Sequence, residues 1–388
     1  MQRLVAAAVA AVAVAVLAGT TAIGDHEPRY RPLGDDAQWT TVLKTTVGLE
    51  GLTSDRHGNL YTPARAGADA CPILRTTPSG GTPAVVGVIP APCNPAGLAF
   101  DRDGDLFIAD GTRVVTLRPD AARPPTATVY ASGVPGANGV AFDRAGRLWV
   151  SDGTTAQGRV WRIGADRVPV EAFRVQPLAN DVNLVDGVGG VGRDNRGLPP
   201  GTITVTPTGR QAANTLGSQH LVANGLAFGK DGTLFVADTA RGAIWRVAID
   251  HKGRVKSPTG CDTTFPSTTL CLDNVLVGHP YLEGVDGITL DHAGNIVGAV
   301  NERNAIVVVT AKDRTVELFR NPVDPATRLR NQGPLEFPTS PVIVGRTLCV
   351  TSSDGARRDN FPNTGGEVGP NASERAKVSC LDEDLPVR

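Results

Sequence analysis

Six short segments of the chain share one pattern, in which a variable residue directly precedes a strand-like stretch. At four of the six positions this residue carries a side-chain carboxylate or amide oxygen: Glu50, Asn138, Asn224 and Asp286. At the other two positions the residue is Ala96 or Ser340. We call these six positions the mouth ring. If the six positions meet around one axis, the carboxylates of Glu50 and Asp286 repel each other unless a cation lies between them.

A site with oxygen donors only, and without His or Cys, is typical of Ca²⁺. The sequence therefore predicts a calcium centre whose ligands are Glu50, Asn138, Asn224 and Asp286. The alternative is that these Asn-Gly and Asp-Gly pairs are simply hairpin turns, which they commonly form. Their recurrence at one position of a repeat favours the metal site.

The segments that must position these residues are internal repeats. Residues 97–110 (GLAFDRDGDLFIAD), 139–152 (GVAFDRAGRLWVSD) and 225–238 (GLAFGKDGTLFVAD) are close copies. Residues 51–62, 287–300 and 341–353 are looser ones. Most copies consist of an apolar strand, an Asp-x-x-Gly turn and a second β-rich strand, and Asp and Gly both suit such a turn.

Six such units, spaced by about one four-stranded blade each, predict an all-β, six-bladed β-propeller. The first strand of each blade lines the central channel, which would place the mouth ring at one end of that channel. Strand-like segments at 39–43 and 376–380 can join in the last blade and leave no free edge. The third and fourth copies start unusually far apart, so we expect an insertion between blades three and four at about residues 180–200.

The composition agrees with a β-rich domain, and the net charge narrows the classes of partner that the protein can bind. The 388 residues include 45 glycines and 29 prolines, and 41% of them are hydrophobic, which is enough for a large core with many turns. The formal net charge is −1, which argues against a nucleic-acid partner or charge-driven membrane binding. We expect a small-molecule substrate and a monomer.

The N-terminus predicts export. Arg3 precedes an Ala, Val and Leu run over residues 4–18, and small residues follow. This is the pattern of a secretory signal peptide over residues 1–22, leaving a propeller domain at 23–388 that is secreted and free of the membrane. A retained anchor is the alternative. In an oxidising compartment the six cysteines favour disulfides, and sequence neighbours suggest Cys71–Cys93, Cys261–Cys271 and Cys349–Cys380, although 15 pairings exist.

At Glu50-Gly51, Asn138-Gly139, Asn224-Gly225 and Asp286-Gly287 the chain resembles the senescence-marker-protein/gluconolactonase family, to which diisopropylfluorophosphatase and the paraoxonases are similar. The resemblance covers about residues 45–355. It implies a calcium-dependent hydrolase of lactones or related esters, in which those four residues bind the metal and Asp286 is also the catalytic base or nucleophile. The family's substrate-contacting Arg and Asn have no clear counterpart here.

Three residues are candidates for substrate binding. Asn301 and Arg303 follow the second strand of blade five, and His220 precedes the blade-four ligand, as His279 precedes that of blade five. The histidines could shuttle protons at the mouth, or simply lie on the surface. The aspartates that end second strands, Asp110, Asp152 and Asp238, recur with the repeat, so we interpret them as structural anchors.

The predicted function is thus calcium-dependent hydrolysis of a lactone or related ester, with a metal-polarised carbonyl. The first alternative is a secreted propeller scaffold that calcium stabilises and that binds a partner without catalysis, since fold alone does not fix function. A second alternative is a propeller enzyme of the strictosidine-synthase-like type, without hydrolase chemistry.

Overall fold

A computed structural model describes most of the chain. The described residues are 30–66, 69–155, 157–176, 223–263, 265–312, 314–323, 325, 330, 333–353 and 376–385. The predicted signal peptide at 1–22 and the predicted insertion at 180–200 therefore lie outside them. Among the described residues, no helix is long and apolar enough to span a membrane.

The described chain folds into six antiparallel sheets. Blade one contains β2 (Gly48–Leu49), β3 (Thr53–Ser54), β4 (Leu60–Arg65), β5 (Cys71–Thr76) and β6 (Ala84–Ile89). Blade two contains β7 (Pro95–Phe100), β8 (Leu106–Asp110), β9 (Arg113–Leu117) and β10 (Thr128–Ser132). Blade three contains β11 (Ala137–Phe142), β12 (Leu148–Asp152), β13 (Arg159–Ile163) and β14 (Pro169–Arg174).

The second half repeats this order. Blade four contains β15 (Leu226–Phe228), β16 (Leu234–Asp238), β17 (Ala243–Val247) and β18 (Val275–Gly278). Blade five contains β19 (Val285–Leu290), β20 (Ile296–Val300), β21 (Ala305–Val309) and β22 (Thr315–Arg320). Blade six contains β23 (Pro338–Val344), β24 (Thr347–Ser352), β25 (Ala376–Leu381) and β1 (Trp39–Thr45). Three short 3₁₀ turns accompany them: Leu272–Asn274, Pro280–Leu282 and Asn301–Arg303.

The first strands of the blades contact one another in a closed circle. The order of contact is β3, β7, β11, β15, β19, β23 and again β3. These strands therefore surround one axis, and the prediction of a six-bladed all-β propeller is confirmed.

Both ends of the described chain meet in blade six. Strand β1 pairs with β25, and Trp39 lies opposite Leu381. Strand β25 also pairs with β24, which places Cys349 opposite Cys380 in a disulfide. The last blade thus takes its outermost strand from the beginning of the fold, as the segments at 39–43 and 376–380 predict.

Apolar side chains fill the spaces between neighbouring blades. Between blades three and four, the fully buried Trp149, Phe173, Leu234 and Trp245 form one cluster. Large aromatic residues of this kind bury extensive apolar surface. The core is thus divided into wedges around the axis.

The turns between first and second strands have the predicted chemistry. In blade two, Asp101 Oδ1 accepts hydrogen bonds from the backbone N–H groups of Asp103 and Asp105, both at 2.9 Å. Asp143 and Asp291 make the equivalent bonds in blades three and five. These turns lie at the end of the propeller opposite the mouth ring, so they fix the blades without contributing to the mouth.

Blade four carries a long excursion between its third and fourth strands that was not predicted. It runs from the end of β17 at Val247 to the start of β18 at Val275 and contains the Cys261–Cys271 disulfide. Its backbone bonds blade three at two places: Arg162 Nη1 on β13 donates to Gly253 O at 2.6 Å, and the N–H of Leu270 donates to Arg174 O at the end of the edge strand β14 at 2.8 Å. The excursion therefore ties blades three and four together.

The three predicted disulfides are confirmed. Cys71–Cys93 joins blade one to the segment that precedes blade two, Cys261–Cys271 lies in the excursion, and Cys349–Cys380 closes blade six.

Candidate functional site

Glycines bring the six positions of the mouth ring together. A Cβ atom on Gly139 would lie 2.3 Å from the carbonyl oxygen of Asn224, and one on Gly225 would lie 2.6 Å from that of Asp286. The same close approach to the next blade occurs at the remaining glycines that follow ring positions: Gly51, Gly97 and Gly287. Only glycine permits backbones to approach so closely. Gly139, Gly225 and Gly287 also lack the positive φ that an Asn-Gly or Asp-Gly hairpin turn requires, so the alternative that these pairs form hairpin turns is wrong.

The inner strands are irregular where they reach the mouth. The pairing register shifts between Ala137 and Val140 in blade three and between Val285 and Ile288 in blade five. A β-bulge of this kind changes the direction of a side chain relative to the regular pleat. The bulges enclose Asn138 and Asp286, two of the predicted ligands.

Asn224 is held from two sides. Its side-chain Nδ2 donates to Thr239 Oγ1 at 3.0 Å, and Thr239 Oγ1 donates in turn to the carbonyl oxygen of Val285 at 2.5 Å. Its own carbonyl oxygen accepts a 2.6 Å hydrogen bond from Ser151 Oγ. Asn224 is 2% exposed. Because Thr239 takes the amide nitrogen, Oδ1 is the donor atom that Asn224 would present to a cation.

Asp286 is buried at the next position of the ring and is oriented by a neighbour. Asn301 Nδ2 donates to Asp286 Oδ2 at 3.1 Å, and both residues are buried. The backbone is also fixed, since the N–H of Gly225 donates to Asp286 O at 3.1 Å. Asn301, a predicted substrate contact, thus lies against the predicted catalytic carboxylate.

Glu50 closes the circle between blades six and one. Its carbonyl oxygen accepts hydrogen bonds from Thr339 Oγ1 at 2.6 Å and Thr351 Oγ1 at 2.9 Å. Its carboxylate forms an ion pair with Arg65, with 3.1 Å between Oε2 and Nη1. Arg65 is the last residue of β4, so blade one places a positively charged side chain at the mouth ring.

The other ring positions differ in size and polarity. Asn138 is buried, and its side chain packs so closely on Gly153 that a Cβ there would lie 2.3 Å from Nδ2. Ala96 contributes only a methyl group, and Ser340 a hydroxyl. The oxygen-bearing amides and carboxylates thus come from blades one, three, four and five.

Three ion pairs surround the mouth at the ends of second strands. They are Asp110–Arg113, Asp152–Arg159 and Asp238–Arg241. Burial raises the pKa of Asp238 to about 6, although Arg241 and the indole N–H of Trp245 favour its ionised form. These pairs support the interpretation of the three aspartates as structural anchors.

The remaining predicted residues lie beside the mouth or outside the described chain. Arg303 donates to Glu317 Oε2 from Nε at 2.9 Å and from Nη2 at 2.7 Å. Its guanidinium also lies 5.3 Å from the centre of the Tyr281 ring. His279 Nδ1 accepts from the N–H of Tyr281 at 3.0 Å. His220 lies outside the described residues.

The donor chemistry of the mouth ring fits Ca²⁺. Two carboxylates and two amides lie at one register of the inner strands, and three of the four residues are at most 7% exposed. Within the described ranges, no three His, Cys, Asp or Glu side chains lie close enough together to hold a metal ion. A metal here would therefore depend on amide oxygens as well as the two carboxylates, which suits calcium and not zinc.

Sequence reasoning missed the groups that support the ring. Ser151 and Thr351 each lie one residue before the end of a second strand and donate to the ring carbonyl of the next blade, but blades two, four and five have alanine there: Ala109, Ala237 and Ala299. Thr239 donates instead to Val285 O, beside the ring. The sequence repeat therefore does not mark these hydroxyl groups. Arg65 had a signal. The first repeat lacks the aspartate that ends the second strand in blades two, three and four, and has Ala64 followed by Arg65 instead.

A family model described as the SMP-30/gluconolactonase/LRE-like region matches residues 50–353. This span begins at the first residue of the mouth ring and ends just after β24. The chain belongs to this family. Membership supports a lactonase-type function and hints at a divalent metal. No curated protein matches the chain in a sequence comparison.

Solved structures share the fold of this family member. A luciferin-regenerating enzyme superposes with a TM-score of 0.55 at 14% identity, covering 91% of this chain and 99% of its own. Regucalcin from Agrobacterium tumefaciens, described as a calcium-binding protein, gives 0.55 at 16% identity, covering 91% of this chain and 96% of its own. At such identities the likeness supports the propeller fold alone.

Proposed function

We propose that the protein is a calcium-dependent hydrolase of a lactone or related ester. One observation carries this proposal: Glu50, Asn138, Asn224 and Asp286 occupy one register of the closed circle of inner strands, in a chain that belongs to the gluconolactonase family. A bound calcium ion would polarise the substrate carbonyl and stabilise the negative charge that develops on its oxygen.

The residues of the chain would then supply the proton chemistry. Asp286 either accepts a proton from water as the water attacks the carbonyl carbon, or attacks that carbon itself. In both routes the ester C–O bond breaks, water is consumed, and the products are a carboxylate and an alcohol. Asn301 holds Asp286 Oδ2 and fixes the direction of the carboxylate during this step.

We further propose that the protein is secreted after removal of residues 1–22. The three disulfides support this proposal, because such bonds persist in oxidising compartments and are rare in the cytosol. The mature chain would act on a small molecule as a monomer.

The test combines a substrate screen with calcium titration. Wild type is expected to hydrolyse at least one member of a lactone and aryl-ester panel, and EDTA is expected to abolish turnover. Asp286→Asn should lower kcat at least 100-fold, as loss of a base or nucleophile does. The matched control is Asp291→Asn at the opposite end of the same blade, which should keep kcat within about twofold of wild type because Asp291 serves a turn.

Two results would overturn the proposal. The first is mature protein that binds no stoichiometric calcium in isothermal titration calorimetry, together with Asp286→Asn turnover equal to wild type. The second is a calcium-stabilised protein that hydrolyses no ester, which would favour the non-catalytic binding scaffold.

A further inference from the structure

Arg65 places a positive charge where the proposed calcium ion would compete with it. Its Nη1 lies 3.1 Å from Glu50 Oε2, and the Glu50 side chain is 13% exposed. A divalent cation bound to Glu50 and Arg65 paired with the same carboxylate would repel each other. A calcium ion that ligates Oε2, alone or together with Oε1, takes the atom that Arg65 now holds, so binding in this mode requires Arg65 to release Glu50.

A released Arg65 would stay at the mouth. Its Nε donates to the carbonyl oxygen of Pro95 at 2.8 Å, and this bond does not involve Glu50. Pro95 directly precedes Ala96, the ring position with the smallest side chain. The guanidinium would then face the blade-two side of the mouth with Nη1 available, where a planar group with several N–H donors binds carboxylates well.

We propose that Arg65 exchanges partners, pairing with Glu50 in the metal-free protein and binding an anionic group of the substrate once calcium occupies Glu50. This proposal rests on the proposed hydrolase function and specifies its substrate class, an ester or lactone with a negatively charged substituent. Arg65, on blade one, is then a specificity-determining residue.

The first test is calcium affinity, measured by isothermal titration calorimetry without any substrate. Arg65→Met should bind calcium more tightly than wild type, on the order of tenfold, because Glu50 no longer gives up a charged partner. The matched control is Arg113→Met, which removes another mouth arginine whose partner, Asp110, lies outside the ring. Its calcium affinity should equal that of wild type. Unchanged or weaker calcium binding by Arg65→Met would contradict the exchange.

The second test measures anion binding by the same method. The probes are 4-hydroxybenzoate and its neutral analogue 4-hydroxybenzamide. In saturating calcium, wild type should bind the benzoate at least tenfold more tightly than Arg65→Met does, and the two proteins should bind the benzamide equally. Equal binding of the benzoate by both proteins would overturn the proposal.

Glu50→Gln provides a test that does not require loss of Arg65. Without calcium, this variant lacks the carboxylate that holds Arg65, so it should bind 4-hydroxybenzoate more tightly than metal-free wild type. The double variant Glu50→Gln, Arg65→Met should lose that gain, and retention of it would contradict the proposal. Because none of these measurements needs turnover, their outcome is separate from whether the protein hydrolyses esters.

Discussion

Asp143 and Asp238 have the same kinds of hydrogen-bond partner, but the fold shifts their pKa values in opposite directions. Asp143 and Asp238 each accept hydrogen bonds from an arginine and from a buried indole N–H. Burial acts to raise the pKa of Asp143, but the bonds from Arg147 and Trp149 outweigh it and the pKa is lowered. Asp238 is buried further, at 1% exposure, and burial prevails there. How deeply the carboxylate is buried therefore decides whether its pKa is raised or lowered.

This contrast gives a pH prediction for Asp238. The native pKa of about 6 exceeds the ordinary value of 3.8, so the native state binds the proton more tightly than the unfolded state. The resulting stabilisation is present below about pH 4 and is lost as the pH rises through about 6. The unfolding free energy of wild type minus that of Asp238→Asn should therefore fall by roughly 2 kcal/mol from pH 4 to pH 7.

Denaturant titrations at the two pH values measure this difference. Asp143→Asn is the control, because a lowered native pKa gives stabilisation that is lost only as the pH falls. For that variant the difference from wild type should not decrease between pH 4 and pH 7. A constant difference for Asp238→Asn would show that Arg241 and Trp245 fully compensate for its burial.

At the scale of the element, the inner strand is the unit that positions the site. In five of the six blades the strand reaches the mouth through a residue followed by glycine, and the glycine lets the strand approach its neighbour; in blade six Pro341 follows Ser340. Hydroxyl groups of second strands then fix the carbonyl oxygens, as Ser151 does for Asn224 and Thr351 for Glu50. The geometry of the ligands thus depends on contacts between blades.

Replacement of a ring glycine tests this dependence. In Gly225→Ala, the new methyl group would lie 2.6 Å from Asp286 O and 2.7 Å from Ile288 N, and both atoms are backbone. We expect a loss of about 2–3 kcal/mol in unfolding free energy, as overpacking costs, and weaker calcium binding. Denaturant titration and calorimetry measure the two effects.

The control for this variant lies in the same blade. In Gly278→Ala the nearest atom to the added methyl would be the Ala243 Cβ, at 3.9 Å. Its stability should stay within about 0.5 kcal/mol of wild type, as for most surface substitutions. Equal stability of the two variants would mean that the inner strands can separate without cost.

The sequence predicted the elements well where the repeat is close and less well elsewhere. The copies at 97–110, 139–152 and 225–238 mark first and second strands, and all are found where expected. The excursion after β17 escaped notice because its bridges are isolated and its contacts, such as Arg162 with Gly253, join distant parts of the chain. The ion pair between Arg65 and Glu50 escaped for a similar reason, since it joins two strands of a blade at a position that the repeat does not share.

At the scale of the whole molecule, ring closure is what turns separate repeats into a site. Blade six combines β1 with β23–β25, and the Cys349–Cys380 disulfide links two of its strands. Thr339 and Thr351 of that blade also hold Glu50 O, so closure positions a predicted ligand directly. The near-neutral chain charge of −1 conceals this local chemistry, in which two carboxylates share one mouth.

An anomalous difference map from crystals grown in calcium tests the central claim most directly. We predict a single peak at the mouth, about 2.3–2.6 Å from side-chain oxygens of Glu50, Asn138, Asn224 and Asp286, with Arg65 no longer paired to Glu50. A mouth without a peak, in which Arg65 still holds Glu50, would contradict the account.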